Sequence, residues 1–146
     1  MTVSELLAGN ASFTSLSTSD REAVAGAMVP RDYPDNHVFF REGDRGHDVF
    51  FVVEGEVQVT GKGAPEELNR LGPGALFGLL AIVDDEPRSA TCRALGPVVV
   101  ASLSRAAVSL LFNQAAPIAC AFQRALGAQL AQDFRQLDRR LHELAR

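Results

Sequence analysis

Histidine and cysteine are scarce in this chain, and their placement excludes two kinds of chemistry. His37, His47 and His142 are the only histidines, and no two are spaced as ligands of one metal ion. Cys92 and Cys120 form no CxxC pair, so they are expected as buried, reduced thiols rather than a disulfide or a metal pair. No Gly-x-Ser-x-Gly elbow is present, and Ser89 has no histidine near it in sequence to activate it. The chain is therefore not expected to be an enzyme, and no cofactor is expected.

Two further absences bear on partners. A net charge of −4 and a pI near 5.3 give no broad attraction to nucleic acid or acidic membranes. No apolar stretch reaches the roughly 18 residues of a membrane span, and no basic start leads into an apolar run. A cytoplasmic setting is expected, with no nucleic-acid or membrane partner.

What is present fits one core. The 146 residues, 47% hydrophobic and 22% charged, suit a single domain. Thr2 to Ala8 and Ser19 to Met28 carry helical patterns, the second with Ser19 as N-cap and Glu22 three residues on; Pro30 then stops it. From about Asn36 to Leu103 the pattern becomes short β-rich runs: His37–Arg41, Val49–Val53, Val57–Thr60, Glu67–Leu71, Thr91–Leu95 and Val98–Leu103. Gly43, Gly46, Gly55, Gly61, Gly63, Gly72 and Gly74 mark turns between them. Such spacing predicts an antiparallel sandwich or jelly roll. The expected division is a helical segment over 1–35, a sheet over 36–103 and helices over 104–146.

Beyond Ser104, a candidate N-cap, a short helix to about Asn113 and, after Pro117, a long one to the end are expected. Leu130, Phe134, Leu137, Leu141 and Leu144 recur at alternating four- and three-residue steps, a coiled-coil type of seam. A helix of roughly 30 residues would be roughly 45 Å long, more than a small barrel covers. A second copy of the same helix would complete the seam, giving a homodimer. Arg135, Arg139, Arg140 and Arg146 alternate with Asp133, Asp138 and Glu143 there and read as solvated helix charges.

The most informative stretch is Phe77-Gly-Leu-Leu-Ala-Ile-Val-Asp-Asp-Glu-Pro-Arg-Ser-Ala-Thr91. Gly78 permits a positive φ, and the run Leu79 to Val83 can form one helical turn whose free N–H groups face an anion. Arg88, after Pro87, can clamp two phosphate oxygens with its planar fork, and the Ser89 hydroxyl and the Ala90 amide can add neutral donors. The site suits one small phosphoester. Asp84, Asp85 and Glu86 lead into it, either as a solvated loop tip or as carboxylates folded back onto the guanidinium.

From about Phe13 to Leu144 the chain resembles the cyclic-nucleotide-binding domain of catabolite-activator-type regulators, protein kinase A regulatory subunits and cyclic-nucleotide-gated channels. Val38-Phe-Phe-Arg-Glu-Gly-Asp44, Val49-Phe-Phe-Val-Val-Glu-Gly-Glu-Val-Gln-Val59, and Leu71-Gly-Pro-Gly-Ala-Leu-Phe-Gly78 running into Pro87-Arg-Ser-Ala-Thr91 carry the resemblance. It implies a mostly β fold, an antiparallel jelly-roll barrel with N-terminal helices and a long C-terminal helix. It also implies that Phe77, Gly78, Leu79, Leu80, Ala81, Arg88, Ser89 and Ala90 surround a cyclic phosphate and ribose, with base contacts near Leu137 and Asp138.

One position departs from that pattern: Leu79 stands where the family has a glutamate that accepts from the ribose 2′-hydroxyl. A hydrogen bond to a charged group contributes about 1.5–3 kcal/mol, a roughly 10- to 150-fold change in affinity. The resemblance thus implies a stand-alone sensor that binds cAMP, cGMP or an atypical ligand weakly and signals through a protein effector. The alternative is a ligand-independent interaction module of the same fold. The chain stops where activators of the family continue into a DNA-binding domain, so it is not expected to act as a complete transcription factor.

Overall fold

A computed structural model of the chain describes residues 2–14, 16–61, 64–79 and 86–112, together with 123–124, 127–131, 134–135 and 139 of the C-terminal part. Two short helices come first. Helix α1, Val3–Gly9, opens on Thr2, whose hydroxyl accepts from the Glu5 N–H while the Glu5 carboxylate accepts from the Thr2 N–H. A 3-10 turn over Ala11–Phe13 leads to helix α2, Thr18–Ala27. Its cap is Ser17, accepting from the Asp20 N–H at 3.1 Å, and not Ser19, which lies inside the first turn. The helix ends with Met28 as its C-cap, two residues before Pro30.

Pro30 does more than stop that helix. It lies in strand β1, Val29–Tyr33, inside the segment whose pattern reads as helical. β1 is an edge strand, where the missing N–H of proline leaves no ladder gap on the open side. The remaining strands are β2 (Val38–Phe40), β3 (Val49–Gly61), β4 (Ala64–Leu71), β5 (Leu76–Phe77) and β6 (Thr91–Leu103).

The long strands β3 and β6 pair antiparallel and form the spine. β1 and β2 follow one another along the outer edge of β6, and β4 and β5 lie along the outer edge of β3. The result is an antiparallel sheet with flanking helices, but the sheet does not close into a barrel. Four of the expected strands are two: Val49–Val53 and Val57–Thr60 are one, and so are Thr91–Leu95 and Val98–Leu103. The ladder survives the glycine in β3 as a bulge, with register shifts between Val52 and Glu56.

Alternation along β3 builds two cores. Val49, Phe51 and Val53 face a helix-side cluster with Leu6, Leu7, Phe13, Leu16, Val24 and Met28. Phe50, Val52 and Val57 face a second cluster with Phe77, Cys92, Ala94, Val98 and Val100. β3 is thus buried on both faces, which explains its unbroken apolar start.

After Ser104, whose hydroxyl accepts from the Ala107 N–H at 3.1 Å, helix α3 runs over Arg105–Phe112. Val108 and Leu111 bury against the helix-side core. Residues 123–124, 127–131, 134–135 and 139 are helical, but one continuous long helix is not shown. Of the seam, Leu130 packs partly against the helix-side core and Phe134 is 54% exposed. Leu137, Leu141, Leu144, Asp138, Cys120 and His142 lie outside the described residues.

Gly55 in β3 has φ of 85°, and a Cβ there would lie 2.8 Å from both the Pro97 carbonyl and Val98 Cγ1. Gly55→Ala is expected to destabilise the fold by about 2–4 kcal/mol through left-handed strain plus overpacking, as read by urea unfolding. A change below about 0.5 kcal/mol would show that the bulge does not hold β3 against β6 there.

Candidate functional site

Arg88 is the centre of the site, and three segments reach it through the backbone. Its N–H donates to the Asp44 carbonyl at 2.8 Å, and its carbonyl accepts from the Gly43 N–H at 2.8 Å. The turn is closed by Asp44, whose carboxylate accepts from the Arg41 N–H, while the Glu42 N–H donates to the Thr91 hydroxyl. The loop after β2 is therefore fastened to the residues that open β6.

The side chain is only 6% exposed. Nη1 donates to the Gly78 carbonyl at 2.8 Å, and Nη2 donates to the Asp48 carbonyl at 2.9 Å. The guanidinium carbon lies 4.2 Å from the centre of the Phe40 ring. Nε is buried and has no hydrogen-bond partner among the described residues. Among the described residues no carboxylate makes an ion pair with Arg88, and Glu86 is exposed. Asp84 and Asp85, the other acids expected near the guanidinium, lie outside the described residues.

Burial lowers the Arg88 pKa from its ordinary value, and the field of Asp48 opposes the shift, followed by Cys92 and Asp44. A cation so placed is held by neutral carbonyls and a ring face. Its desolvation is only partly offset among the described residues.

Gly78 makes the approach possible. It has φ of 79°, and a Cβ there would fall 2.8 Å from Arg88 Nη1, 3.1 Å from the Asp48 carbonyl and 3.3 Å from Phe40 Cε2. Phe77 beside it is buried in β5, opposite Phe50 of β3. Ser89 is exposed and Ala90 half-buried, next to the guanidinium in sequence. Leu80 and Ala81 lie outside the described residues, as does the turn expected up to Val83.

Leu79 is placed differently from its neighbours. It is 3% exposed and belongs to the helix-side core with Leu6, Leu76, Val108 and Leu111. Phe77 and Leu79 therefore anchor the two sides of Gly78 in the two different cores. A cavity of about 310 Å³ lies elsewhere, where Asn10 Nδ2 donates to the Gly74 carbonyl at 2.8 Å and Gln129 approaches. None of the residues touching Arg88 lines it.

Phe40, Asp48 and the Asp44 carbonyl escape the reading of sequence. Two of these act through backbone atoms, which side-chain identity does not reveal. Phe40 left a signal, the adjacent pair Phe39-Phe40 in a strand, which strict alternation would send to opposite faces.

The sequence from residue 30 to 115 matches the family model described as the cyclic nucleotide-binding domain. The chain belongs to the cyclic nucleotide-binding domain family. This cyclic nucleotide-binding domain is 36% identical over 107 residues, 72% of its length, to a cAMP-dependent protein kinase regulatory subunit of Debaryomyces hansenii, covering 23% of that protein. It is 36% identical over 120 residues, 82% of its length, to a cyclic nucleotide-gated potassium channel of Mesorhizobium japonicum, covering 33% of it. The domain thus spans about a quarter to a third of these two relatives. A solved cyclic nucleotide-binding domain from Methylobacillus flagellatus superposes with a TM-score of 0.85 at 26% identity, covering 97% of this chain and 82% of that one.

Two expectations follow from the geometry of this cyclic nucleotide-binding domain. Leu79→Ala should lose about 2–5 kcal/mol in urea unfolding, and Leu79→Glu should lose more, because it would bury a carboxylate in the helix-side core. Equal stability of Leu79→Glu and wild type would place the side chain at the surface instead.

Burial pushes the Cys92 thiol up from its ordinary 9.0 to about 12, with Arg88 acting weakly in the opposite sense. The neutral thiol's contribution to stability is full below pH 9 and is lost between pH 9 and 12, because the unfolded chain ionises first. In a Cys120→Ser background, Cys92 should resist a thiol-reactive disulfide reagent at pH 8 and react only as the protein is unfolded by urea. Rapid reaction of the native protein would contradict the burial.

Proposed function

We propose that this chain is a sensor that holds the phosphodiester of a cyclic nucleotide, cAMP or cGMP, against Arg88 and the Gly78 turn, and that it signals through contact with another protein. The observation that carries this reading is the buried Arg88 guanidinium, which among the described residues has no ion-pair partner and an unpartnered Nε. Two of its five N–H donors are spent on carbonyls, so Nε and the second hydrogens on Nη1 and Nη2 remain for phosphate oxygens. The carbonyls hold the fork in place before a ligand arrives, which limits the side-chain entropy lost on binding.

Ser89, whose hydroxyl makes no hydrogen bond among the described residues, would add a neutral donor, with the Ala90 amide beside it. Phe77, Leu80 and Ala81 would complete the wall of the site, and Leu137 and Asp138 the base contacts. The relatives' names support the ligand class: one is a cAMP-dependent kinase subunit and another a cyclic nucleotide-gated channel. With Leu79 turned into the helix-side core, the ribose lacks a carboxylate acceptor at that position and weak binding is expected.

The same position suggests how occupancy reaches the surface. The Gly78 carbonyl is held by Arg88, and Leu79 packs with α3 and the N-terminal helices. A ligand that favours one placement of this turn would bias the helices by its differential affinity. Phe134, exposed on the helical stretch, supports a homodimer or an effector contact there. The long C-terminal helix and the cytoplasmic setting belong to the same proposal.

Isothermal titration of nucleotide-free protein with cAMP and cGMP up to millimolar concentration tests it. Saturable heat is expected, in the high micromolar range of Kd. Arg88→Lys should weaken binding roughly 10- to 150-fold, and Ser89→Ala, at an exposed position, roughly 2- to 10-fold. Circular dichroism melts establish that each variant is folded. No heat from folded wild type with either nucleotide would overturn the sensor and leave a ligand-independent module.

A further inference from the structure

Phe39 and Phe40 are neighbours in β2, yet both rings enter one aromatic cluster. Phe39 lies 5.6 Å from Phe50 and 5.3 Å from Phe77, and Phe40 lies 5.9 Å and 6.1 Å from the same rings. A regular strand would put them on opposite faces. The register of β2 against β6 shifts between Val38, opposite Arg93, and Phe40, opposite Cys92. This irregularity re-aims Phe40, as bulges do where a side chain must be redirected.

What Phe40 gains by the turn is the face of Arg88, 4.2 Å from ring centre to guanidinium carbon. The ring contact is permitted by Gly78, since a Cβ there would crowd both Phe40 Cε2 and Arg88 Nη1. The two carbonyl bonds fix the fork within its own plane. The tilt of that plane about the line between the two acceptors is limited by the ring face, with the Gly46 backbone also beside the fork.

The cluster does not need Phe40 for filling alone. Phe39, Phe50 and Phe77 already pack on one another, with Phe50 and Phe77 stacked at 5.1 Å. Nor does a carboxylate hold the guanidinium among the described residues. Among the described residues the negative face of an aromatic ring, with the more distant fields of Asp48 and Asp44, is what the structure sets against this buried cation.

We propose that Phe40 is a positioning residue for anion capture: its ring fixes the plane of the Arg88 guanidinium and thereby the direction in which Nε–H meets a phosphate oxygen. The inference rests on the reading that Arg88 receives a phosphodiester, and its test separates the two. Phe40 is replaced by 3,4,5-trifluorophenylalanine, which keeps the ring's shape while withdrawing its negative face, and in a second protein by Leu.

The ligand-free readout is the Arg88 Nε–H signal in protein labelled with ¹⁵N-arginine, assigned by its disappearance in Arg88→Lys. In wild type the signal should carry a ring-current shift that is lost in Phe40→Leu, and should exchange with water faster in the trifluorinated protein. The second readout is cAMP affinity by titration, expected to fall roughly 2- to 30-fold with the fluorinated ring while its melting temperature stays within a few degrees of wild type. An Nε–H signal identical in all three proteins, or unchanged cAMP affinity with the fluorinated ring, would overturn the proposal. If wild type binds no cAMP while the Nε–H signal still depends on the ring, the ligand reading fails and the positioning of Arg88 by Phe40 stands.

Discussion

One guanidinium organises the site, because every segment around it is placed by a bond to Arg88. The loop after β2 is fixed through Gly43 and Asp44, the start of β3 through the Asp48 carbonyl, and the turn after β5 through the Gly78 carbonyl. β2 itself contributes the Phe40 ring. Among the described residues no ion pair joins them, although the fields of Asp48 and Asp44 favour the cation. Neutral acceptors hold a buried cation, which satisfies its geometry better than its charge.

The scaffold beneath the site follows from β3. Because the start of this strand is buried on both faces, Val49, Phe51 and Val53 join one core against the helices, while Phe50 and Val52, with Val57 beyond the bulge, join another inside the sheet. β5 pairs with the start of β3 for only two residues, Leu76 and Phe77, and so delivers Gly78 at the junction of the two cores. Leu76 and Leu79 enter the helix-side core while Phe77 enters the other. A turn pinned on both sides in this way cannot shift without repacking one of them. The glycine that lets Arg88 approach is thus also where the two cores meet.

How much of this the sequence discloses depends on the kind of contact. The strands with clear alternation, the cap at Ser104 and the positive φ of Gly78 are legible, because each rests on side-chain type and local spacing. β1 is not, since Pro30 is a strong local stop signal and only pairing with β6 makes its edge position favourable. β5 is too short to carry a period. The two glycine interruptions look like strand ends but are bridged by the long β3 and β6 ladder, a tertiary effect. At the site, Arg88 and Gly78 are legible from the motif, whereas the Gly78 and Asp48 carbonyls are invisible to residue type. Leu79 reads as the missing ribose acceptor, and its packing against the helices is apparent only in three dimensions.

Nε, unpartnered among the described residues, would connect stability to the proposed binding. A buried donor without an acceptor lowers the stability of the free protein, and an anion that accepts from it recovers that loss only in the bound state. A ligand bound as proposed would stabilise the fold by mass action, in proportion to the logarithm of its concentration over Kd once it is well above Kd. A carboxylate paired with Arg88 would have removed the penalty, but any phosphate would then have had to displace it. Two carbonyls and a ring leave the charge available, and the fold keeps its cation positioned at the expense of some stability in the empty state. The scarcity of partners around Arg88 is in this sense the condition for its use.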